Sequence, residues 1–553
     1  MTSKEKFELW QKKVTDAEVK AQLGAMAGNE KAIENAFYKD LEFGTGGLRG
    51  ELGAGTNCLN VYTIRKVTQG IADCMKHYGF KKAAISHDSR INSDVFAAEV
   101  ARVFAANGIK AYLTKELMPT PYLSFITRHF KADIGVMITA SHNPAKYNGY
   151  KVYGSDGCQL TDNRANEMIG YIEKVNEFDV KSPELKECIK KGMVEYVEDD
   201  VTELYLKEVE KRAVCSASGL KVAYSPLNGT GYKLVPEILK RAGIATLDVV
   251  KEQSYPDGHF TTCSYPNPEK AEALRLGLKL AAEKGSDILI ATDPDADRMG
   301  IAVRHNNDYR LMTGNEVGVL LTDFLFSKRK ENGTLPKVPV LVKTIVSTNL
   351  AVEVAKEYGA EVHNVLTGFK YIGDVIGKLE AKGEADRFVL GFEESYGYLS
   401  GSYVRDKDAV VASMLTAQMT AYYKNKGMTL VDRINQIYAK FGHYEHRLKS
   451  YEYAGAEGNA KMKELLSDLR ANLPKSVGGV KVVDTIDYLT QDRFDLPKSN
   501  VLSFTLENGC SFIVRPSGTE PLIKVYYTAA KTPEENKKLF ESMQEYADSV
   551  LKA

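Results

Sequence analysis

The pattern that most constrains this 553-residue chain is a repeated change of character, in which a short apolar run passes abruptly into a polar loop. Ala83-Ala-Ile85 runs into Ser86-His-Asp-Ser-Arg90, Ile134–Ile138 into Thr139–Pro144, and Leu220-Lys-Val-Ala223 into Tyr224–Thr230. Ile288–Ala291 runs into Asp293–Arg298, and Phe388-Val-Leu390 into Gly391–Ser395. Amphipathic helical stretches such as Asp94–Asn107 and Glu269–Gly285 lie between them. Strands alternating with helices predict α/β layers with mostly parallel pairing. Open sheets of that kind gather ligands at the C-terminal ends of their strands. Beyond about residue 450 the pattern changes. Val482–Tyr488, Val501–Leu506, Cys510–Val514 and Leu522–Tyr527 read as short strands and Thr532–Leu551 as a helix, which predicts an α+β tail. Lys328–Pro339, rich in charge, Pro and Gly, reads as a loop or linker. The length predicts about three to five domains.

Composition removes several functional classes. The 73 basic and 73 acidic residues cancel, so no global field draws nucleic acid or a membrane. Apolar stretches such as Val317–Leu321 are far too short to span a bilayer. The start, Met1-Thr-Ser-Lys-Glu-Lys, carries no signal-peptide core, and the seven dispersed cysteines (58, 74, 158, 188, 215, 263, 510) contain no C-x-x-C. Reduced thiols in a cytoplasmic protein are the reading these features support.

Two loops carry chemistry. In Asp293-Pro-Asp295-Ala-Asp297-Arg298 three carboxylates alternate between the apolar runs Ile288–Ala291 and Met299–Val303. Like charges that close repel unless something positive sits between them, and a divalent cation with hard oxygen ligands is the usual solution. An exposed acidic turn is the plain alternative. An EF-hand is excluded, because its sixth position wants Gly and its twelfth Glu, and Arg298 and Arg304 stand there. A haloacid-type phosphatase wants Thr or Val where Asp297 stands. The second loop, Thr139-Ala-Ser141-His142-Asn-Pro144, places a serine at a strand's C-terminal end, since Pro144 and its polar neighbours end the strand. A turn or cap serine is the default for a lone Ser. A hydrolase elbow is excluded, because positions 139–143 are not G-x-S-x-G and His142 is adjacent in sequence to the serine.

These two loops resemble the phosphoserine and metal loops of the α-D-phosphohexomutases, the phosphoglucomutase/phosphomannomutase family. Three further segments carry the resemblance in family order: Gly44-Thr-Gly-Gly-Leu-Arg49-Gly50 near the N-terminus, Gly391-Phe-Glu393-Glu394-Ser395-Tyr-Gly397 as the sugar-recognition loop, and Arg515-Pro-Ser517-Gly518-Thr519-Glu-Pro521 as the phosphate-binding loop. The resemblance implies three related α/β domains with mixed sheets plus a C-terminal α+β domain around a central cleft, divided at 1–210, 211–335, 336–445 and 446–553. It implies a phosphoglucomutase that interconverts glucose 1-phosphate and glucose 6-phosphate, with phosphomannomutase or phosphopentomutase as the alternative.

Residue by residue, the resemblance makes Ser141 the phosphoryl carrier and one ligand of a Mg²⁺ held by Asp293, Asp295 and Asp297. Glucose 1,6-bisphosphate is then the intermediate and activator. Arg298 adds a planar donor fork, and Arg49 sits near the reacting phosphate. Lys151 is the expected base, with a pKa lowered by burial beside cations, and His142 orients the loop. Gly397 departs from the dual-specificity phosphomannomutases, which carry His there, and Lys407 takes over that proton role. Glu393 and Ser395, with Thr367, Gly368 and Lys370, contact the sugar. Arg515, Ser517, Gly518 and Thr519 grip the phosphate that is not transferred. The implied partners are small sugar phosphates, without nucleic acid or membrane, for a monomer or homodimer.

Overall fold

The chain, described by a computed structural model, is defined at every residue except 45, 454, 518–521 and 553, and at every side chain except those and 162, 455–457 and 459. Its described strands form sheets of seven, five, four and six strands. In the first sheet Ile134–Ile138, Lys82–His87, Lys110–Thr114 and Val194–Val197 run parallel. Along one edge Tyr147–Gly154, Gly47–Glu51 and Phe43–Gly44 add antiparallel strands. The second sheet pairs Ile288–Thr292 parallel to Lys221–Ser225 and antiparallel to Met299–His305. The third pairs Val340–Thr344 parallel to both Glu361–Val365 and Phe388–Glu393, with Gly397–Leu399 antiparallel at the edge. The parallel pairing expected from periodicity holds among the inner strands, and the three sheets are mixed, as the resemblance implies. In each, an antiparallel strand follows directly from a polar loop and carries it back across the sheet.

Physical reasons for the parallel strands are plain. Ile134–Ile138 and Ile288–Thr292 are buried at every position, because helices cover their sheets. Continuous apolar runs suit strands that face no water. The second and third sheets share one apolar core with part of the first, running from Tyr122 and Tyr205 through Ile290 to Leu390. The other side of the first sheet has its own core. There the helices Ser3–Lys13 and Glu30–Phe37 set Phe7 and Trp10 edge-on against Phe37, and Trp10 also meets Tyr62. The six-stranded C-terminal sheet is antiparallel throughout and has a separate core. It meets the third sheet through a small apolar seam of Val346, Leu366, Tyr488, Val501 and Ile513.

Lys328–Pro339 is a linker only in its second half. Helix Gly314–Glu331 begins at a Thr313/Glu316 capping box and runs through Lys328, Arg329 and Lys330. Those three cations lie in its last turn, where they oppose the helix dipole. A charge cluster that looks like a linker in sequence is therefore a helix end.

Candidate active site

The serine loop is fixed from beneath. Thr139 Oγ1 accepts a hydrogen bond from the Ser141 backbone N–H at 2.8 Å and donates to Asp88 Oδ2 at 2.6 Å. Asp88 pairs with Arg90 at 3.2 Å. The buried Arg90 guanidinium donates to the carbonyls of Pro144 and Tyr147, each at 3.0 Å, and to those of Ser141 and Asn143. Four carbonyls converging on one cation hold the loop in a shape that gives Ser141 a φ of 51°. A non-glycine residue in that region costs free energy that its surroundings must supply. Arg90 is a residue that sequence reasoning missed. The only signal was its place in the polar loop after Ala83–Ile85.

Ser141 Oγ then lies 2.8 Å from Asp293 Oδ2, to which it donates, and 3.3 Å from His142 Nδ1. Burial and the nearby Arg298 push the His142 ring well below its ordinary pKa. It is a neutral ring packed edge-on to Tyr265, in keeping with a part in orienting the loop.

The carboxylates of Asp293, Asp295 and Asp297 are at most 2 % exposed, and one oxygen from each lies within 4.8 Å of the others. Backbone N–H groups of Asp297 and Arg298 donate to Asp293 Oδ1 at 3.1 and 3.0 Å. Thr120 Oγ1 and Lys151 Nζ each donate to Asp295 Oδ2 at 2.8 Å. Asp295 Oδ1 and Asp297 Oδ1 are buried and have no hydrogen-bond partner among the described residues. Burial and the charges of Asp295 and Asp297 drive the Asp293 carboxyl well above its ordinary range. Orphaned buried oxygens and clustered like charges are what a hard divalent cation relieves. These residues fit Mg²⁺.

Lys151 comes from the antiparallel strand Tyr147–Gly154, directly opposite Met137. Its expected neighbours were cations, but it sits 2.8 Å from Asp295 Oδ2 and 3.6 Å from Asp297 Oδ2. Burial alone would lower its pKa, yet these carboxylates outweigh both burial and the opposing charge of Lys407, so the amine is held protonated above its usual value. Lys407 behaves likewise, 3.2 Å from Asp297 Oδ2 and 3.0 Å from Asp406 Oδ1. Asp406 is steadied by the Tyr153 hydroxyl at 2.7 Å.

The remaining expected residues that are described line the same cleft, of about 1710 Å³, which draws on all four sheets. Arg49 Nη1 donates to Asn143 Oδ1 at 3.3 Å. Its strand passes so close to its neighbour that a Cβ on Gly47 would lie 2.0 Å from the Tyr150 carbonyl oxygen. Arg298 pairs with Glu269 at 3.2 Å. Glu393 accepts the Gly368 N–H at 2.9 Å, which joins the sugar-loop segment to Thr367–Lys370. Ser395, Arg515 and Ser517 also line the cleft. Gly518 and Thr519 lie outside the described residues.

A serine hydroxyl on a carboxylate cluster, two lysines and a cleft rimmed by arginines make a class of site suited to phosphoryl transfer. The comparisons give that class its family. Models of phosphoglucomutase/phosphomannomutase α/β/α domains I, II and III match residues 40–179, 203–306 and 313–441, and the model of the C-terminal domain matches 457–545. The phosphoglucomutase of Staphylococcus saprophyticus is 36% identical over 536 residues, covering 94% of this chain and 96% of that protein. That of Staphylococcus aureus strain MRSA252 is 36% identical over 537 residues, covering 94% of each. A putative phosphomannomutase from Thermus thermophilus superposes with a TM-score of 0.69 at 21% identity, covering 92% of this chain and 99% of that one. Parafusin, a phosphoglucomutase from Paramecium, superposes at 0.68 with 18% identity, covering 93% and 95%. The chain belongs to the phosphoglucomutase/phosphomannomutase family and is a phosphohexomutase, an enzyme of the isomerase class. Among the described residues, no helix is long and apolar enough to cross a membrane.

Proposed function

We propose that this phosphohexomutase is a Mg²⁺-dependent phosphoglucomutase that interconverts glucose 1-phosphate and glucose 6-phosphate through a phosphorylated Ser141 and enzyme-held glucose 1,6-bisphosphate. The observation that carries the reading is the Ser141 hydroxyl standing 2.8 Å from the triple-aspartate cluster, with Lys151 and Lys407 on the cluster's other carboxylates. The glucose preference is supported by the names of the Staphylococcus relatives.

In the first transfer, the free sugar hydroxyl attacks the phosphorus on Ser141. Its P–O bond forms as the bond to Ser141 Oγ breaks, and the hydroxyl proton passes to a lysine amine. Asp293, Asp295 and Asp297 would hold Mg²⁺, which when bound offsets charge on the transferring phosphoryl group. Lys151 is the proton acceptor in this reading. Held protonated by its ion pairs with Asp295 and Asp297, it must first release that proton to solvent, so its readiness as a base follows what the aspartates hold. Lys407 serves the opposite half-reaction. Glu393 and Ser395 hydrogen-bond the sugar hydroxyls in both orientations of the bisphosphate, and Arg515 with Ser517, Gly518 and Thr519 grips the distal phosphate. The second transfer returns the other phosphoryl group to Ser141. The seven cysteines are free thiols, in keeping with a reducing cytoplasm.

Ser141→Ala tests the carrier directly. The expected result is loss of mutase turnover with an unchanged circular dichroism spectrum, and loss of the +80 Da species (the mass of about one phosphoryl group) from the Ser141 peptide. Near wild-type turnover by the alanine variant would end the phosphoserine mechanism. A panel of glucose, mannose and ribose 1-phosphates with Mg²⁺ tests the sugar: a clear preference for mannose or ribose would replace the glucose assignment.

A further inference from the structure

Behind the sugar-loop segment lies a group of buried ionisable side chains with no part in the mechanism above. Lys343, on strand Val340–Thr344, is 1 % exposed and donates from Nζ to the carbonyls of Thr344 at 3.1 Å and Ser347 at 3.0 Å. Glu394 closes the same turn from the other side. Its Oε2 accepts the hydroxyls of Thr344 at 3.1 Å and Ser347 at 3.2 Å, and its backbone N–H donates to Ser347 Oγ at 3.1 Å. The turn 344–347 is therefore held at its carbonyls by a lysine and at its hydroxyls by a carboxylate. Glu394 stands between Glu393 and Ser395, and its own carbonyl presses on the helix start at Gly314, where a Cβ would lie 2.0 Å from it. The loop has no slack on that side.

We infer that Lys343 and Glu394 are positioning residues: acting through the turn 344–347, they set where Glu393, Ser395 and Arg515 meet a sugar phosphate. The inference rests on the sugar-loop reading given above. It follows from where the clamp ends. One side is the segment carrying Glu393 and Ser395; the other is the seam of Val346 and Leu366 against the C-terminal sheet. Well-packed apolar side chains would serve stability as well as two buried charges do, whereas opposed hydrogen-bonding ends fix one loop position.

The groups facing the clamp are few. Glu394 faces Glu393, Thr344, and Arg515 from the C-terminal sheet, with Tyr526 beside Arg515. Lys343 faces Glu394, and His446 on strand Tyr444–Glu452 feels its charge. Burial lowers Lys343 to about 7 against the pull of Glu394, and burial with Glu393 raises Glu394 to about 6. Both charges are present together only in a narrow window around neutral pH.

The test compares KM and kcat for glucose 1-phosphate in the wild type, Lys343→Met, Glu394→Gln, the double variant and Glu393→Gln. Each clamp variant is expected to raise KM about tenfold, the loss of a charged hydrogen bond, and to change kcat less. The double variant should be no worse than the poorer single, because both act on one turn. The ratio of the Lys343→Met KM to the wild-type KM should shrink between about pH 6.5 and about pH 8.5, as the wild-type lysine loses its charge. A pH-independent ratio, additive effects or an unchanged KM would each overturn the inference. If Lys343→Met does not fold, Ser347→Ala removes one hydroxyl and no charge and must still raise KM about threefold; an unchanged KM there is equally fatal. If Glu393→Gln raises KM while the clamp variants do not, the inference falls and the sugar-loop reading stands. If Glu393→Gln leaves KM unchanged, both fall together.

Discussion

Gly397 and Lys407 use the same space. A Cβ built on Gly397 would lie 2.1 Å from Lys407 Cδ, so the lysine can extend to Asp297 and Asp406 only because position 397 carries no side chain. Gly397, the position at which the chain departs from the His-bearing branch, is thus what leaves room for Lys407.

Gly397→Ala is therefore expected to displace Lys407 and lower kcat about tenfold to a hundredfold, the overpacking cost of a closed site. The Gly397→Ala/Lys407→Ala double variant should be no slower than Lys407→Ala alone, since the clash is gone. Steady-state kinetics of the three proteins decide it. A double variant slower than both singles would mean that position 397 acts on something other than Lys407.

The aspartate cluster makes a separate prediction. Asp293→Asn, Asp295→Asn and Asp297→Asn should each lower kcat about a hundredfold or more and raise the Mg²⁺ concentration needed for half-maximal rate. Asp295→Asn also removes the closest partner of Lys151 at 2.8 Å. Isothermal titration with Mg²⁺, beside rates in chelator and after its removal, measures both effects. Full wild-type activity in chelator would contradict the metal assignment.

Sequence showed the serine and triple-aspartate loops because each follows a strand buried on both faces, Ile134–Ile138 and Ile288–Thr292, whose apolar runs stop abruptly. The C-terminal helix Pro533–Leu551 was equally legible, because Thr532 and Glu535 form a capping box just after Lys531. The strand bearing Lys151 was not. Tyr147-Asn-Gly-Tyr carries turn formers, but here Asn148 is fully buried and donates to the Ile91 carbonyl at 3.0 Å and to Ser93 Oγ at 2.9 Å. Distant partners turn an Asn-Gly pair into strand. Arg90 was missed for the same reason, as its four carbonyl partners lie more than fifty positions away. The resemblance implied that the loops of four sheets meet in one cleft; periodicity could not, because that depends on packing between domains.

His446 predicts how stability depends on pH. Its Nδ1 meets Thr528 Oγ1 at 3.1 Å, and its buried Nε2 has no partner among the described residues. Burial, aided by the charge of Lys343, pushes its pKa down to about 3, against about 6.5 in an unfolded chain. A depressed folded pKa means that the unfolded chain binds the proton first. The stabilisation is complete above about pH 6.5 and is lost as pH falls toward the folded value. Between about pH 7.5 and pH 5 the wild type should lose on the order of 1–2 kcal/mol more than His446→Gln. Calorimetric unfolding at both pH values measures the difference, and equal losses would show that the ring titrates normally.

Arg515 predicts how the C-terminal domain takes part. It lies on strand Ser511–Pro516 of the six-stranded sheet, beside Tyr526, and lines the cleft together with Ser517. That domain has its own core and shares a small apolar seam with the third sheet. A phosphate grip carried on a separately packed body draws that body in when ligand arrives. Arg515→Ala should raise KM and lower kcat/KM by about 2–5 kcal/mol in transition-state terms, the usual cost of losing a desolvated charge pair, while Ser141 phosphorylation and Mg²⁺ affinity stay as in the wild type. The connection to the C-terminal sheet, from helix Leu430–Phe441 into strand Tyr444–Glu452, should also become more resistant to protease with glucose 1-phosphate in the wild type but not in the variant. Unchanged kinetics would reject the phosphate grip. Protease sensitivity indifferent to ligand in the wild type would reject the closure and leave the grip standing.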